Sequence, residues 1–468
     1  MSRINTNLSS LQAIHTLGKN NSALSTSMQR LSTGLRINSG KDDPAGLIAS
    51  ENMRSEMTGI NQAVSNSQRA SNVINTAEGA LSEISSLLLE VQSLTNQAAN
   101  TGALSPEEIQ ANQLQVDAIL QSINRVANTT QFNGVKLLNG SLDYTLSGVA
   151  ASALSVVKVN GVNVPDNGNV NVVVSVAASA EYGEVQFSGS AVGSAAITIS
   201  VAGNSGSERF SFAASTATSA IAAAVNQLTE TTGVSATVSA GTLRFLSTAF
   251  GSKQYVSVTT QAGTFVNSKD YGADADVRIN GNKAEVDGNV ASVRSGDLDV
   301  TVTLSADFAQ TVGTDKNFYV TGGGAKFQLG SQVNRAGQTN IGLGAVSTTS
   351  LGNSITGFLS SLGSGGDASL VGGNTVKAQK IINSAIKQVS DLRGRLGAFQ
   401  KNILDTNVNS LNVALENVTA SESAIRDADF AQETAKMTRA QILVQANTSI
   451  LAQANSSPNS VLSLLRGG

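Results

Sequence analysis

Apolar and small residues recur every seven positions between Ile60 and Ala98. One series is Ile60, Ser67, Ile74, Leu81, Leu88 and Thr95, and Ala63, Ala70, Ala77, Ile84, Val91 and Ala98 interleave with it at alternating spacings of three and four. A seam of that period predicts a coiled-coil helix, roughly 58 Å long at about 1.5 Å per residue. Its many Ala and Ser favour burial in a closely packed bundle. A second seam runs through Ile382, Ala385, Val389, Leu392, Leu396, Phe399, Ile403, Thr406, Ser410 and Val413 without a slip, which predicts an equally long partner helix. Between the two in sequence, Ser105-Pro106-Glu107-Glu108 reads as an N-cap, a proline at the first helical position and a capping box. The helix it opens has Ile109, Val116, Ile119, Ile123 and Val126 on its apolar face, and the following TTQFNGVKLLNG reads as a hairpin turning at Asn133-Gly134.

The extreme ends carry sparser stripes: Ile4, Leu8, Leu11, Leu24, Met28, Leu31 and Leu35 at the start, and Met437, Ile442, Val444, Ile450 and Leu451 at the far end. Helices with so few apolar anchors are marginal alone. Both ends are expected to be disordered in the monomer and to order against neighbouring copies, with Leu8, Leu11, Leu24, Met28, Leu31, Ile442, Val444, Ile450 and Leu451 as the assembly seam. The shell coiled coil is expected at Ile60, Ile74, Leu81, Leu88, Val389, Leu392, Leu396 and Phe399. The middle changes character, with alternating runs such as Asn171–Val176 and Leu298–Leu304 between frequent turns, and reads as two or so small β-rich modules. Within it, 196–260 reads strand, strand, helix, then three strands. The helix bears Ile221, Val225 and Leu228, and Gly233 stands at its C-cap.

The fold class is therefore α+β multidomain, a terminal helical coiled-coil bundle with inserted β-rich outer domains. The expected segments are 1–45 and 426–468 as terminal coiled coil, 46–140 and 375–425 as the helical shell, and 141–374 as the outer domains with a returning hairpin.

Composition narrows function mostly by exclusion. The 468 residues include no Cys and a single His, His15, so thiol chemistry, disulfides and the usual zinc sites are disfavoured. Net charge is -3 and aromatics are 4%, which gives neither a basic stripe nor a stacking platform for nucleic acid. No initial apolar run reaches the length of a signal-peptide core and no segment approaches a bilayer span, so neither Sec targeting nor membrane insertion is expected. Charged residues are 13%, well under the usual quarter, and such an uncharged polar surface suits extensive contact with copies of itself. Asp42-Asp43 lies in KDDPAG and reads as a turn, not a catalytic pair. Gly322-Gly323-Gly324-Ala325-Lys326 lacks the glycine spacing and the Ser or Thr of a phosphate loop and reads as a hinge or hairpin turn. No enzymatic constellation and no cofactor site emerge.

Several long stretches carry a family resemblance. RLSTGLRINSGKDDPAGLIASENMRSEMTGINQA at Arg30–Ala63, then TTQFNGVKLLNG and LRGRLGAFQ, and ASESAIRDADFAQETAKMTRAQILVQANTSILAQAN at Ala420–Asn455 resemble the terminal signatures of bacterial flagellins. The 196–260 unit is similar to small modules in some flagellin and hook-associated inserts. The resemblance implies a secreted, extracellular homopolymer, the flagellar filament, whose terminal segments line a channel while the long helices form the shell and the middle projects outward. It further implies a type III export apparatus, an export chaperone at the C-terminal helix, and filament cap and hook-associated proteins as partners. A hook-filament junction protein is the alternative with the same terminal design, and a β-rich adhesive role for 141–374 is a third reading. In many flagellins an Arg-bearing helix surface meets a Toll-like receptor, whereas the matching stretch here reads LLLEVQSLTNQ with Glu90.

Overall fold

The computed structural model describes residues 6–162, 164, 168–296, 298–353 and 356–466, with side chains as far as residue 456. Nine α-helices are present among them: α1 (Leu8–Thr33), α2 (Pro44–Ala98), α3 (Pro106–Thr129), α4 (Thr218–Gln227), the single turns α5 (Thr229–Thr232) and α6 (Ala306–Ala309), then α7 (Thr375–Phe399), α8 (Thr406–Arg426) and α9 (Phe430–Arg466). The chain divides into two compact units. One comprises the described residues up to Asn66, Leu329–Val333 and those from Thr406 onward, and the other is Ser67–Gln328 with Asn334–Asp405.

In the larger unit α2 and α7 run antiparallel, linked by Arg393 to Glu78 at 2.7 Å, Gln92 to Asn383 at 3.1 Å and Gln400 to Ser71 at 2.9 Å. Ile74, Leu81, Leu88, Val389, Leu392, Leu396 and Phe399 are all buried, as are Ala70, Ala77, Ile84 and Val91 of the interleaved series. Ser105 caps α3 through a reciprocal capping box with Glu108, which satisfies two of the helix's orphan backbone donors. Val116, Ile119 and Ile123 of α3 are buried, and Gln113 reaches Leu362 O and Leu370 N. Asn133 and Gly134, both at positive φ, turn the two-residue hairpin between Gln131–Phe132 and Val135–Lys136.

The second heptad seam departs from the sequence expectation beyond Phe399. Gln400–Asp405 forms a π-helix, whose wider turn takes up one extra residue. Leu404 is buried there, while Ile403 is 39% exposed and Val413 58% exposed, and Thr406 and Ser410 are also exposed. The half-covered face of α8 is instead Val408, Leu411, Leu415, Val418 and Ile425, a four-three repeat out of register with the first. The displaced stripe is the more apolar of the two, which is why the extra residue is absorbed in a π-turn.

The β-rich part of this unit holds two cores. In the first, a five-stranded antiparallel sheet runs Asn282–Lys283, Asp276–Ile279, Val170–Ala178, Asp315–Gly323, Tyr144–Ser147. A four-stranded one runs Glu285–Asp287, Val290–Arg294, Leu298–Leu304, Leu154–Val162. Leu298–Leu304 alternates buried and half-buried along its length, as a strand with one face inward must, and Val172, Val174, Val300, Val302 and Phe318 fill the core. The second core is inserted within the first. Its sheets are Glu184–Ser188, Thr242–Ser247, Val234–Ser239, and Ser268–Tyr271, Tyr255–Ala262, Ile197–Ala202, Ser207–Phe212, with α4 packed on them. Ile221 and Val225 are fully buried, but Leu228 lies past the helix end and is 37% exposed. Gly233 supplies the left-handed cap after α5. This module is wider than 196–260, because Glu184–Ser188 pairs with Thr242–Ser247 and Ser268–Tyr271 pairs with Tyr255–Ala262.

Gly322-Gly323-Gly324 carries the chain out of Asp315–Gly323 into the strand Ala325–Gln328. A Cβ on Gly323 would lie 2.2 Å from the Asp143 carbonyl oxygen, so the glycine serves a close backbone approach.

Candidate assembly interface

The smaller unit is built around α1 and α9. Gly34, at φ 72°, ends α1, and a backbone strap follows: Arg36 N donates to Arg426 O at 2.6 Å and Ala428 N to Gly34 O at 2.9 Å around the Leu35–Asp427 bridge. From the strap the two helices run antiparallel. Asn7 Nδ2 donates to Ala454 O at 2.7 Å and Ser10 Oγ to Asn455 Oδ1 at 2.8 Å at the far end.

Between these points each helix turns one heptad stripe to the other. On α1 the covered positions are Ser10, Ala13, Leu17, Asn20, Leu24, Ser27 and Leu31. On α9 they are Glu433, Met437, Ala440, Val444, Asn447, Leu451 and Ala454. Glu433 is buried and is hydrogen-bonded by Lys436 at 2.8 Å, Ser27 at 3.2 Å and Arg30 at 3.3 Å. The Lys436 hydrogen bond, aided by the positive charges of Lys436 and Arg30, holds its carboxyl below the usual range against the opposing effect of burial.

The nine residues expected to form one assembly seam therefore fall on different faces. Leu24, Leu31, Val444 and Leu451 are half-buried in the α1–α9 pair. Leu8 (76% exposed), Leu11, Met28, Ile442 (60%) and Ile450 stand outside it, and Ile14, Phe430 and Leu443 are exposed as well. Ile4 lies outside the described residues. A hydrophobic pattern sums both stripes of an amphipathic helix into one, and only the pairing separates them. That pattern also passed over Glu433, Ser27 and Asn447, whose signal was their spacing with Met437, Ala440 and Val444.

The residues around this pair are structural. Asp42 accepts hydrogen bonds from Ser39 N at 2.9 Å, Ser39 Oγ at 3.0 Å and Asn38 N at 3.2 Å, and the Ser39 backbone bond leads in lowering its pKa. Asp43 caps the start of α2 by accepting from Gly46 N at 2.9 Å. His15 is exposed on α1. Ser50 of α2 donates to Glu422 of α8 at 2.9 Å, and Arg426 reaches Glu51 at 3.2 Å. Residues 329–333 lie between these helices: a Cβ on Gly59 would come 2.7 Å from Ser331 O, and Asn407 Nδ2 donates to Leu329 O at 3.0 Å. Among the described residues no group of three or more His, Cys, Asp or Glu could hold a metal ion, and no helix is long and apolar enough to cross a membrane.

The fold and this surface define a subunit with paired helical ends and an inserted β-rich region. Comparison with known proteins makes the class specific. Residues 4–143 match the bacterial flagellin N-terminal helical region, 379–465 the bacterial flagellin C-terminal helical region, and 196–249 the flagellin hook IN motif. The chain is 31% identical over 469 residues to polar flagellin B/D of Vibrio parahaemolyticus, with 99% of each chain covered. It is 31% identical over 466 residues to the flagellin of Bacillus subtilis, with 99% of this chain and all of that one covered, and 30% identical over 522 residues to the flagellin of Salmonella typhimurium, with 99% of each covered. A flagellar hook associated protein-3 from Legionella pneumophila is 13% identical across 80% of this chain and 98% of its own, at a TM-score of 0.31, too low to carry an argument. The chain belongs to the bacterial flagellin family. The role that goes with the family is structural, as a subunit of the flagellar filament.

Proposed function

We propose that this chain polymerises by coupled folding and assembly of its ends. The observation that carries the reading is the outer stripe of the α1–α9 pair, where Leu8, Leu11, Met28, Ile442 and Ile450 are all more than half exposed. Fully burying such a side chain is worth about 1.5–3 kcal/mol, so a few of them per contact, repeated across many copies, hold a polymer. In the free subunit the two long terminal helices have only each other, across a seam rich in Ala, Ser and Asn. They stay largely unordered until neighbours cover the outer stripe. A chain in that state suits export through a type III apparatus, with a chaperone shielding the C-terminal helix. The secreted subunit then adds beneath a cap to a filament that begins at hook-associated proteins.

The test is seeded growth of Leu11→Asp and Ile442→Asp variants, which place a charge on the outer stripe and leave the α1–α9 seam untouched. Growth should fall at least tenfold, because transfer of a carboxylate into an apolar contact costs several kcal/mol. Unchanged growth would remove the outer stripe from the assembly surface.

A further inference from the structure

The seams of α1 and α9 are alike in chemistry. Ala13, Leu17 and Leu24 on one helix and Ala440, Val444 and Leu451 on the other sit on the same four-three repeat among uncharged polar residues. Such stripes pair with their own kind as readily as with each other, and a polymerising chain brings many copies together. The strap at Leu35 and Asp427 joins the helix ends mainly through backbone groups, with the Arg36 guanidinium donating to the Ile425 carbonyl, and it touches no side chain of the α1–α9 seam.

Charge breaks the likeness. α1 contains no acidic residue. Glu433 of α9 is the one acidic or basic residue that is buried among the described residues, and across the seam it meets Ser27 Oγ at 3.2 Å and Arg30 Nη1 at 3.3 Å. The Arg30 side chain is itself only 24% exposed. In a pair of α1 helices Arg30 would find no acid. In a pair of α9 helices Glu433 would face a seam of Met437, Ala440, Val444, Asn447 and Leu451, which holds no cation; Lys436 and Arg439 of α9 are exposed, off that seam. Burying a charge without its cross-seam partner is strongly unfavourable, a polar group at a seam position fixes a coiled coil's register and oligomer state, and ion pairs between helices set partner choice. We infer that Glu433 is the specificity-determining residue of the terminal helices: with Ser27 and Arg30 it selects α1 as the partner of α9 over another copy of α9.

The chain has no Cys, so the pairing can be read by a disulfide between Ser10→Cys and Asn455→Cys, whose native side chains are 2.8 Å apart. The inference concerns the helix pair, which on the reading above orders on assembly, so the crosslink is read on the full chain in filaments grown from wild-type seeds, with the free chain as the unordered baseline. Glu433→Arg and Arg30→Glu should each lower the intrachain crosslink at least about tenfold, since each sets like charges in the seam. The double reversal Arg30→Glu, Glu433→Arg should return it to within about threefold of the unaltered pair, the usual spread of such swaps. Full crosslinking in the single variants would overturn the inference. A double variant no better than the weaker single one, including one that pairs in neither state, would overturn it too, because a merely structural role is not rescued by exchanging the charges.

Discussion

Gly79 in α2 and Gly394 and Gly397 in α7 sit in helix interiors, exposed, with no heavy atom within 4 Å of a Cβ built on any of them. None has positive φ. Glycine in a helix interior costs about 0.8–1 kcal/mol relative to alanine, through the backbone freedom it must surrender. With space for a methyl at each position, Gly79→Ala, Gly394→Ala and Gly397→Ala should each stabilise the free subunit by about that amount. Gly79 lies on a different helix from the other two, so its gain should add to theirs, whereas Gly394 and Gly397 are one turn apart and couple; the triple variant should gain about 1.5–3 kcal/mol. Urea unfolding of the free chain, followed by far-ultraviolet circular dichroism, would register this as a higher midpoint at unchanged slope. An unchanged or lowered midpoint would refute the reasoning and place a restraint at these glycines that the open space around them does not show. Seeded growth adds a second reading: a triple variant more stable when free but slower to polymerise marks the glycines as points where a neighbouring copy approaches closely.

Other expectations follow from the same geometry. Leu81→Ala, in the fully buried α2 seam, should cost about 2–5 kcal/mol, whereas Leu89→Ala on the same helix, 53% exposed, should stay within about 0.5 kcal/mol in the same unfolding assay. Because Glu433's carboxyl is held below its ordinary range, its contribution is complete above the unfolded value of about 4.3 and is lost as pH falls through the lower folded value. The helical signal of filaments should therefore be flat from neutrality down to that ordinary value and fall below it, and Glu433→Gln should flatten the fall. A wild-type curve identical to that of Glu433→Gln would remove this residue from the acid response. Glu90, exposed on α2, stands where the family resemblance leads one to expect a basic residue. Glu90→Arg should raise signalling in a Toll-like receptor reporter assay, and no change would show the difference to be immaterial.

Much of the helical architecture was legible because a seam repeated over a long helix averages out local exceptions. The positions Ile60 to Ala98 needed only their spacing, and Ser105 and Glu108 announced α3 by local chemistry. The π-turn at Gln400–Asp405 was not legible in the same way. Two stripes, Ile403–Val413 and Leu404–Val418, overlap there out of register, and the better seam wins only when packing weighs the whole of α8. The strands of the inserted module could be read one by one from their alternation, but its extent could not. Glu184–Ser188 is joined to it by pairing across more than fifty residues of chain, and such pairing leaves no local mark. The terminal interface was half legible for a related reason. Counting Leu and Ile finds both stripes of α1 and α9, while the polar members of the seam, Ser27, Glu433 and Asn447, carry no hydrophobic signal.

The most direct test of the account is seeded polymerisation of the purified subunit. Sedimentation and negative-stain microscopy would compare the full chain with one lacking 1–35 and 435–468, each offered short filament fragments as seeds. The account predicts filaments from the full chain alone, with the truncated chain folded but unable to elongate the seeds. Filaments from the truncated chain would contradict terminus-driven assembly. A full chain that never elongates its seeds would instead point to an adapter of few copies at the hook-filament junction.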